Sequence, residues 1–283
     1  LDPVERLLDA VDDGYALIKN RDVLHFTYLP NRILHRDKQQ EMVTQSLIPI
    51  YQKSIPSNLL VYGKPGTGKT LVIKKVLNQI QNRLDKNSYP IKLAYTNAKH
   101  ESTLYGLLLS LGRQLGLQEK KTANDKLWLP STGLSISEVF NRILYVIEKR
   151  KVNTVFVIDE IDYLAELVSK TGKDILYSIT RANEILQNGS LSLIGVSNDL
   201  TFKERLDPRV ISSLSEEEIV FPNYVTNEIT EILKDRINTA FENDVVSSGA
   251  LNLCASMACG EPVSYTHLRA HEPLRYLVCR LLL

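Results

Sequence analysis

Two rhythms of apolar residues alternate along this chain. Strand-length segments of largely apolar composition stand at residues 59–62, 91–96, 154–158, 191–196 and 217–221. Most of them lack period-two alternation, as strands covered on both faces do. Between them apolar positions recur every three or four residues, which predicts helices over 69–84, 102–115, 135–150 and 174–187. Strands alternating with helices predict an α/β fold, a parallel sheet with helices on both faces. Ahead of it, Asp2-Pro3 followed by Val4, Leu7, Leu8, Val11, Tyr15 and Ile18 predicts a capped amphipathic helix. A polar connector covers 21–36, and a helix over 37–52 should bend at Pro49. After Pro222 the strands stop, and helices over 226–241 and 247–259 predict an all-helical lid. The expected domains are 1–222, α/β with the N-terminal helix and connector, and 223–261, the start of the lid.

The turn after the first strand carries the chemistry. Gly63, Lys64, Pro65, Gly66, Thr67, Gly68, Lys69 and Thr70 complete a G-x-x-x-x-G-K-[ST] loop between a strand and a helix. Glycines there let successive amide hydrogens point inward at an anion, beside a helix N-terminus that concentrates positive potential. Lys69 is placed to reach β- and γ-phosphates, and the Thr70 hydroxyl to ligate Mg²⁺. The strand 154–158 ends at Asp159-Glu160; alone, such a pair also reads as a helix cap and a first-turn acid. Beside the loop it reads as a cation-holding Asp159 and a water-polarising Glu160. Ser197-Asn198-Asp199 closes the strand 191–196, a plain turn by itself but placed for the Asn198 amide to orient a water or bond the γ-phosphate. In Asp207-Pro208-Arg209, Arg209 opens a short helix and can project into a neighbouring subunit's site; Arg205 competes for that role.

Over 283 residues with 43% hydrophobic content the chain can bury a large core, and its net charge of +1 gives no global pull toward nucleic acid. DNA contact would therefore rest on local patches. Lys120, Lys121 and Lys126 surround Trp128, which reads either as a solvated loop with one packing Trp or as a DNA-touching insertion. No apolar run approaches the roughly 18 residues of a membrane span. The expectation is a soluble cytoplasmic protein, associated with the nucleoid, without membrane partners. Cys254, Cys259 and Cys279 lack metal or paired-disulfide spacing, which suits a reducing compartment.

Residues 63–70, 155–162, 195–199 and 206–214 resemble, in order and spacing, the Walker A, Walker B, sensor 1 and arginine-finger segments of AAA+ ATPases. Residues 20–24, 28–30, 34–39 and 217–224 are similar to segments of archaeal Orc/Cdc-type origin-recognition replication initiators. The resemblance spans about 5–261. It implies ATP and Mg²⁺ as cofactors, slow ATP hydrolysis as a switch, and double-stranded origin DNA, the replicative helicase and neighbouring initiator subunits as partners. It also implies that Tyr224 and Arg236 line the nucleotide site from the lid, with 29–36 near the adenine. Read without it, Tyr224 is an ordinary packing aromatic. The stretch 101–134 resembles the family's DNA-contacting insertion. An AAA+-like signalling switch not dedicated to replication is the alternative.

The family pattern would continue past Gly260 with a second sensor arginine and a winged-helix domain. Residues 262–283 instead resemble one translated frame of a sequencing adapter. On that expectation the chain is a truncated initiator, also opening at Leu1 rather than Met. His267, His271 and Cys279 are then not metal ligands, nor are Arg269 or Arg275 sensors.

Overall fold

The computed structural model describes residues 18–258, apart from 26–27, 53, 88–89, 102, 121–124, 172–174, 215 and 244. The N-terminal helix expected over 2–18 lies, but for its last residue, outside them, as do Cys259, Cys279 and the tail 262–283.

Five parallel strands, β1 (Asn58–Tyr62), β2 (Ile91–Asn97), β3 (Asn153–Asp159), β4 (Ser190–Ser197) and β5 (Glu216–Val220), form one sheet in the order β2-β3-β4-β1-β5. Every residue of β4 is buried, and six of the seven in β3, which is why these runs carry no polar face. The register sets Tyr62 beside Ser197 and Asp159 beside Val196. The turns leaving β1, β3 and β4 therefore emerge together at the carboxyl edge, where open α/β sheets place their ligands.

Helices α1 (Asp37–Leu47), α2 (Lys69–Asn87), α3 (Leu104–Gln114), α4 (Ile136–Arg150), α5 (Asp162–Thr171), α6 (Ile175–Thr180) and α7 (Pro208–Leu214) accompany the sheet. Thr103 and Ser135 cap α3 and α4, accepting from Gly106 N at 3.0 Å and Glu138 N at 3.1 Å. Phe156, Leu193, Leu107, Leu108 and Ile143, all fully buried, belong to the core joining strands to helices. Gly195 lets the layers meet, since a Cβ there would lie 2.7 Å from both Ile161 and Leu60 side chains. On the β5 edge three successive glutamates are each engaged: Lys203 pairs with Glu216 and, at 2.9 Å, Glu218, while Ser46 donates to Glu217 at 2.5 Å.

Two helices depart from the pattern in sequence. The single helix expected over 174–187 is α6 followed by a 3₁₀ turn at Ala182–Glu184. Asn183 is the cause: its amide both donates to Leu191 O and accepts from Leu191 N at 2.8 Å, clipping the segment to β4 in place of a further helical turn. α5, directly after β3, was not expected. The bend expected at Pro49 is a change of helix type, α1 passing into a 3₁₀ turn at Ile48–Gln52.

Contacts divide the chain into two units, 38–222 with the sheet, and 1–37 together with 223–283. The helical unit thus takes in residues before Lys38 as well as those after Pro222. In the helical unit α8 (Thr226–Ala240) and α9 (Ser248–Ala258) share a core of Leu233, Ile237, Phe241, Cys254 and Ala255 with Val23 and Leu24. Lys19 N and Asn20 N donate to Ala240 O at 2.8 and 3.2 Å, satisfying the end of α8.

Candidate functional site

The loop 63–70 is shaped by its glycines. Gly66 and Gly68 hold φ of 79° and 87°, angles that side chains disfavour, and a Cβ on Gly63 would lie 2.6 Å from Phe221 O. Thr67, 1% exposed, ties the loop to itself by donating to Lys64 O at 2.8 Å. Lys69 and Thr70 begin α2, whose first amides have no partner within the helix and face the loop.

Lys69 is buried, and its Nζ donates to Gly63 O at 2.6 Å, Lys64 O at 2.9 Å and Asn198 Oδ1 at 2.8 Å. One ammonium thus joins the β1 turn to the β4 turn. Burial pushes its pKa down to about 8, against the opposing pull of Asp159, Asp162 and Glu160.

Asp159, at the end of β3 and 4% exposed, receives the Thr70 hydroxyl on Oδ2 at 2.8 Å and the Glu160 amide on Oδ1 at 3.0 Å. A third donor, the Tyr95 hydroxyl, reaches Oδ2 at 2.8 Å. Burial first, then the Asp159 charge, raises the Tyr95 phenol far above its ordinary range, so it stays a donor. Glu160 has φ 51°, a left-handed conformation uncommon for a residue with a side chain, which aims it away from the strand direction. Its Oε2 is buried without a hydrogen bond, and Lys99 Nζ stands 3.9 Å away. That oxygen has no hydrogen-bond partner among the described residues and is placed to accept one from a water.

Asp162 opens α5 and accepts on Oδ1 from Ser197 Oγ at 3.0 Å and Asn198 N at 3.3 Å, fixing the turn that presents the Asn198 amide. Sequence reasoning passed over Tyr95 and Asp162. Asp162 had a signal, an acid in the first turn of a helix after the acidic strand; Tyr95 had none beyond its place on a strand.

The two candidate arginines differ. Arg205 is locked to Asp199 on its own chain. Arg209 has a side chain 77% exposed, is held by Asp207 at 2.8 Å and lies 5.8 Å from the Tyr177 ring. It lines an open cavity of about 510 Å³ with Tyr177, Arg181, Glu184, Pro208, Ser212 and Ser213. Asp207 is held down at about 2 by Arg209. Trp128 is used within its own loop, its Nε1 donating to Glu119 O at 2.9 Å. Tyr224 and Arg236 belong to the helical unit, where the buried Arg36 guanidinium stacks 3.6 Å from the Tyr224 ring centre. Burial pushes the Tyr224 phenol up and the Arg236 guanidinium down.

These residues fit a nucleoside triphosphate with a divalent cation. A glycine-rich turn, a buried lysine, and a hydroxyl and carboxylate already 2.8 Å apart supply the anion cradle and two oxygen ligands of the hard type such cations take. Among the described residues no group of three or more His, Cys, Asp or Glu is placed to hold a metal ion by itself. Among the described residues no helix is long and apolar enough to cross a membrane.

A family model described as AAA domain matches residues 53–202. An ORC1-type DNA replication protein of Cenarchaeum symbiosum is 61% identical over 257 residues, covering 91% of this chain and 61% of that relative. Its counterpart in Pyrococcus furiosus is 40% identical over 258 residues, covering 91% of this chain and 59% of the relative. Among solved structures, the Aeropyrum pernix ORC1 protein in complex with DNA superposes with a TM-score of 0.76 at 34% identity, over 94% of this chain and 62% of that one. The chain thus spans about three fifths of the length of the relatives it matches.

Proposed function

We propose that this chain, which belongs to the AAA-domain family and is similar to ORC1-type DNA replication proteins, is the nucleotide-driven switch of a DNA replication initiator. The supporting observation is the pair of bridges at the carboxyl edge of the sheet, Lys69 to Asn198 and Thr70 to Asp159, which draws three turns into one cradle. Gly63 to Thr70 bind the phosphates of ATP, with Lys69 as the point charge on the β- and γ-groups. Thr70 and Asp159 would hold Mg²⁺, and the ion would supply neutralisation of phosphate charge. Glu160 takes the proton of the attacking water, and Asn198, braced by Asp162, orients that water or the γ-phosphate. Arg209 acts on the nucleotide of a neighbouring subunit; each arginine is paired with an aspartate of its own chain, and the greater exposure of Arg209, 77% against 45% for Arg205, favours it. We further assign 1–222 to the nucleotide-binding domain, 223–261 to the start of a lid, and 101–134 to duplex origin DNA. The bound state of the nucleotide would govern DNA remodelling and helicase recruitment.

The test is nucleotide binding and turnover by the purified chain. Lys69→Ala should abolish binding of a fluorescent ATP analogue, whereas Glu160→Gln should bind like the unsubstituted chain and hydrolyse at least tenfold more slowly. Undiminished binding by Lys69→Ala, or undiminished turnover by Glu160→Gln, would count against the assignment.

A further inference from the structure

Tyr95 lies on β2, at one edge of the sheet, where only β3 pairs with it. Its outward backbone groups are nevertheless both engaged. The Gln114 side chain, at the end of α3, accepts from Tyr95 N at 2.9 Å and donates to Tyr95 O at 2.7 Å, standing in for a missing strand. Lys74 of α2 covers the ring, its Nζ 4.8 Å from the centroid. Backbone and ring are therefore held by two helices, and the hydroxyl, the only polar group of the side chain, points at Asp159 Oδ2.

Three donors orient that carboxylate: Tyr95 and Thr70 on Oδ2, and the Glu160 amide on Oδ1. Two of them have other tasks. Thr70 is itself a proposed cation ligand, and the Glu160 amide moves with the backbone of the strained turn after β3. Tyr95 alone comes from a different strand and serves only the carboxylate. Groups that hold a metal-binding carboxylate in this way set its rotamer before the cation arrives, and removing one typically weakens cation affinity by about tenfold or more.

We propose that Tyr95 is a positioning residue for the cation shell: its hydroxyl fixes the orientation of Asp159, and Gln114 fixes Tyr95. The proposal rests on the nucleotide reading above. It differs from a purely structural role, in which the phenol would satisfy a buried acid and its loss would weaken every property of the site alike.

The experiment uses the full chain and its Tyr95→Phe variant, which keeps the ring and removes only the hydroxyl. A fluorescent ATP analogue is titrated in EDTA and then across a Mg²⁺ series. Tyr95→Phe should bind the analogue in EDTA within about twofold of the unsubstituted chain, while its Mg²⁺ midpoint rises about tenfold. An unchanged Mg²⁺ midpoint overturns the inference and leaves the nucleotide reading standing. An equal loss with and without Mg²⁺ also overturns it, since that is what general damage produces. If the unsubstituted chain binds no analogue in either condition, the nucleotide reading fails, and this inference with it.

Discussion

Lys69 is a charge held where charge is disfavoured, and that makes the stability of the fold depend on pH in a calculable way. Its folded pKa of about 8 lies below the 10.5 of an ordinary lysine, so the unfolded chain binds the proton more tightly. With the folded value depressed, the group destabilises the native state fully below pH 8, and that burden lifts as pH rises toward 10.5. Linkage puts it at about 3 kcal/mol near pH 7.5 and about 1.4 kcal/mol near pH 9.5, a difference of roughly 2 kcal/mol. Lys69→Met removes the charge and keeps the length of the side chain. It also leaves Gly63 O and Asn198 Oδ1 without the ammonium, an opposing loss of about 1–3 kcal/mol that does not change with pH. The pH dependence therefore isolates the charge. Urea unfolding of both proteins at the two pH values should show the unsubstituted chain gaining about 2 kcal/mol on the variant as pH rises. Parallel responses, or a gain in the opposite direction, would refute the claim that burial sets the state of this lysine.

Two further outcomes follow from packing. Gly63→Ala places a Cβ 2.6 Å from Phe221 O, a backbone atom that cannot swing aside, so denaturant unfolding should show a loss of about 1–3 kcal/mol, together with weaker nucleotide binding. Phe156→Ala, at a fully buried position in β3, should cost about 3–5 kcal/mol in the same assay; a loss under 1 kcal/mol would mean that β3 is not central to the core.

Three of the five strands were readable because they are covered or nearly so and leave dense apolar runs between turn signals, as at Val155–Ile158 and Leu191–Val196. β5 was readable for another reason: Ile219 and Phe221 reach the core while its glutamates find partners along the edge. What local pattern could not carry was anything decided at a distance. Asn183 ends a helix because Leu191 happens to lie opposite it, and no helical periodicity encodes that. The acid pair after β3 drew attention through its place in a motif, whereas Tyr95 joins it only once β2 and β3 are in register, with Asn97 beside Asp159. Asp162 stands in the acidic segment 155–162, but its work on the Asn198 turn appears only when β4 is laid against β3. Local rhythm names the elements; pairing across the sheet decides which side chains meet.

The order β2-β3-β4-β1-β5 also bears on how the chain comes to be folded during synthesis. β1 sits between two strands made long after it, with Leu59 against Ile194 and Asn58 against Glu216. A nascent chain that has left the ribosome only as far as α4 can close no ladder around β1, however complete its glycine turn. Such late, long-range pairing is slow to form and leaves an apolar ribbon waiting for partners. Closure of the turns at the carboxyl edge is thereby one of the last events in building this sheet, gated by the arrival of residues 190–220.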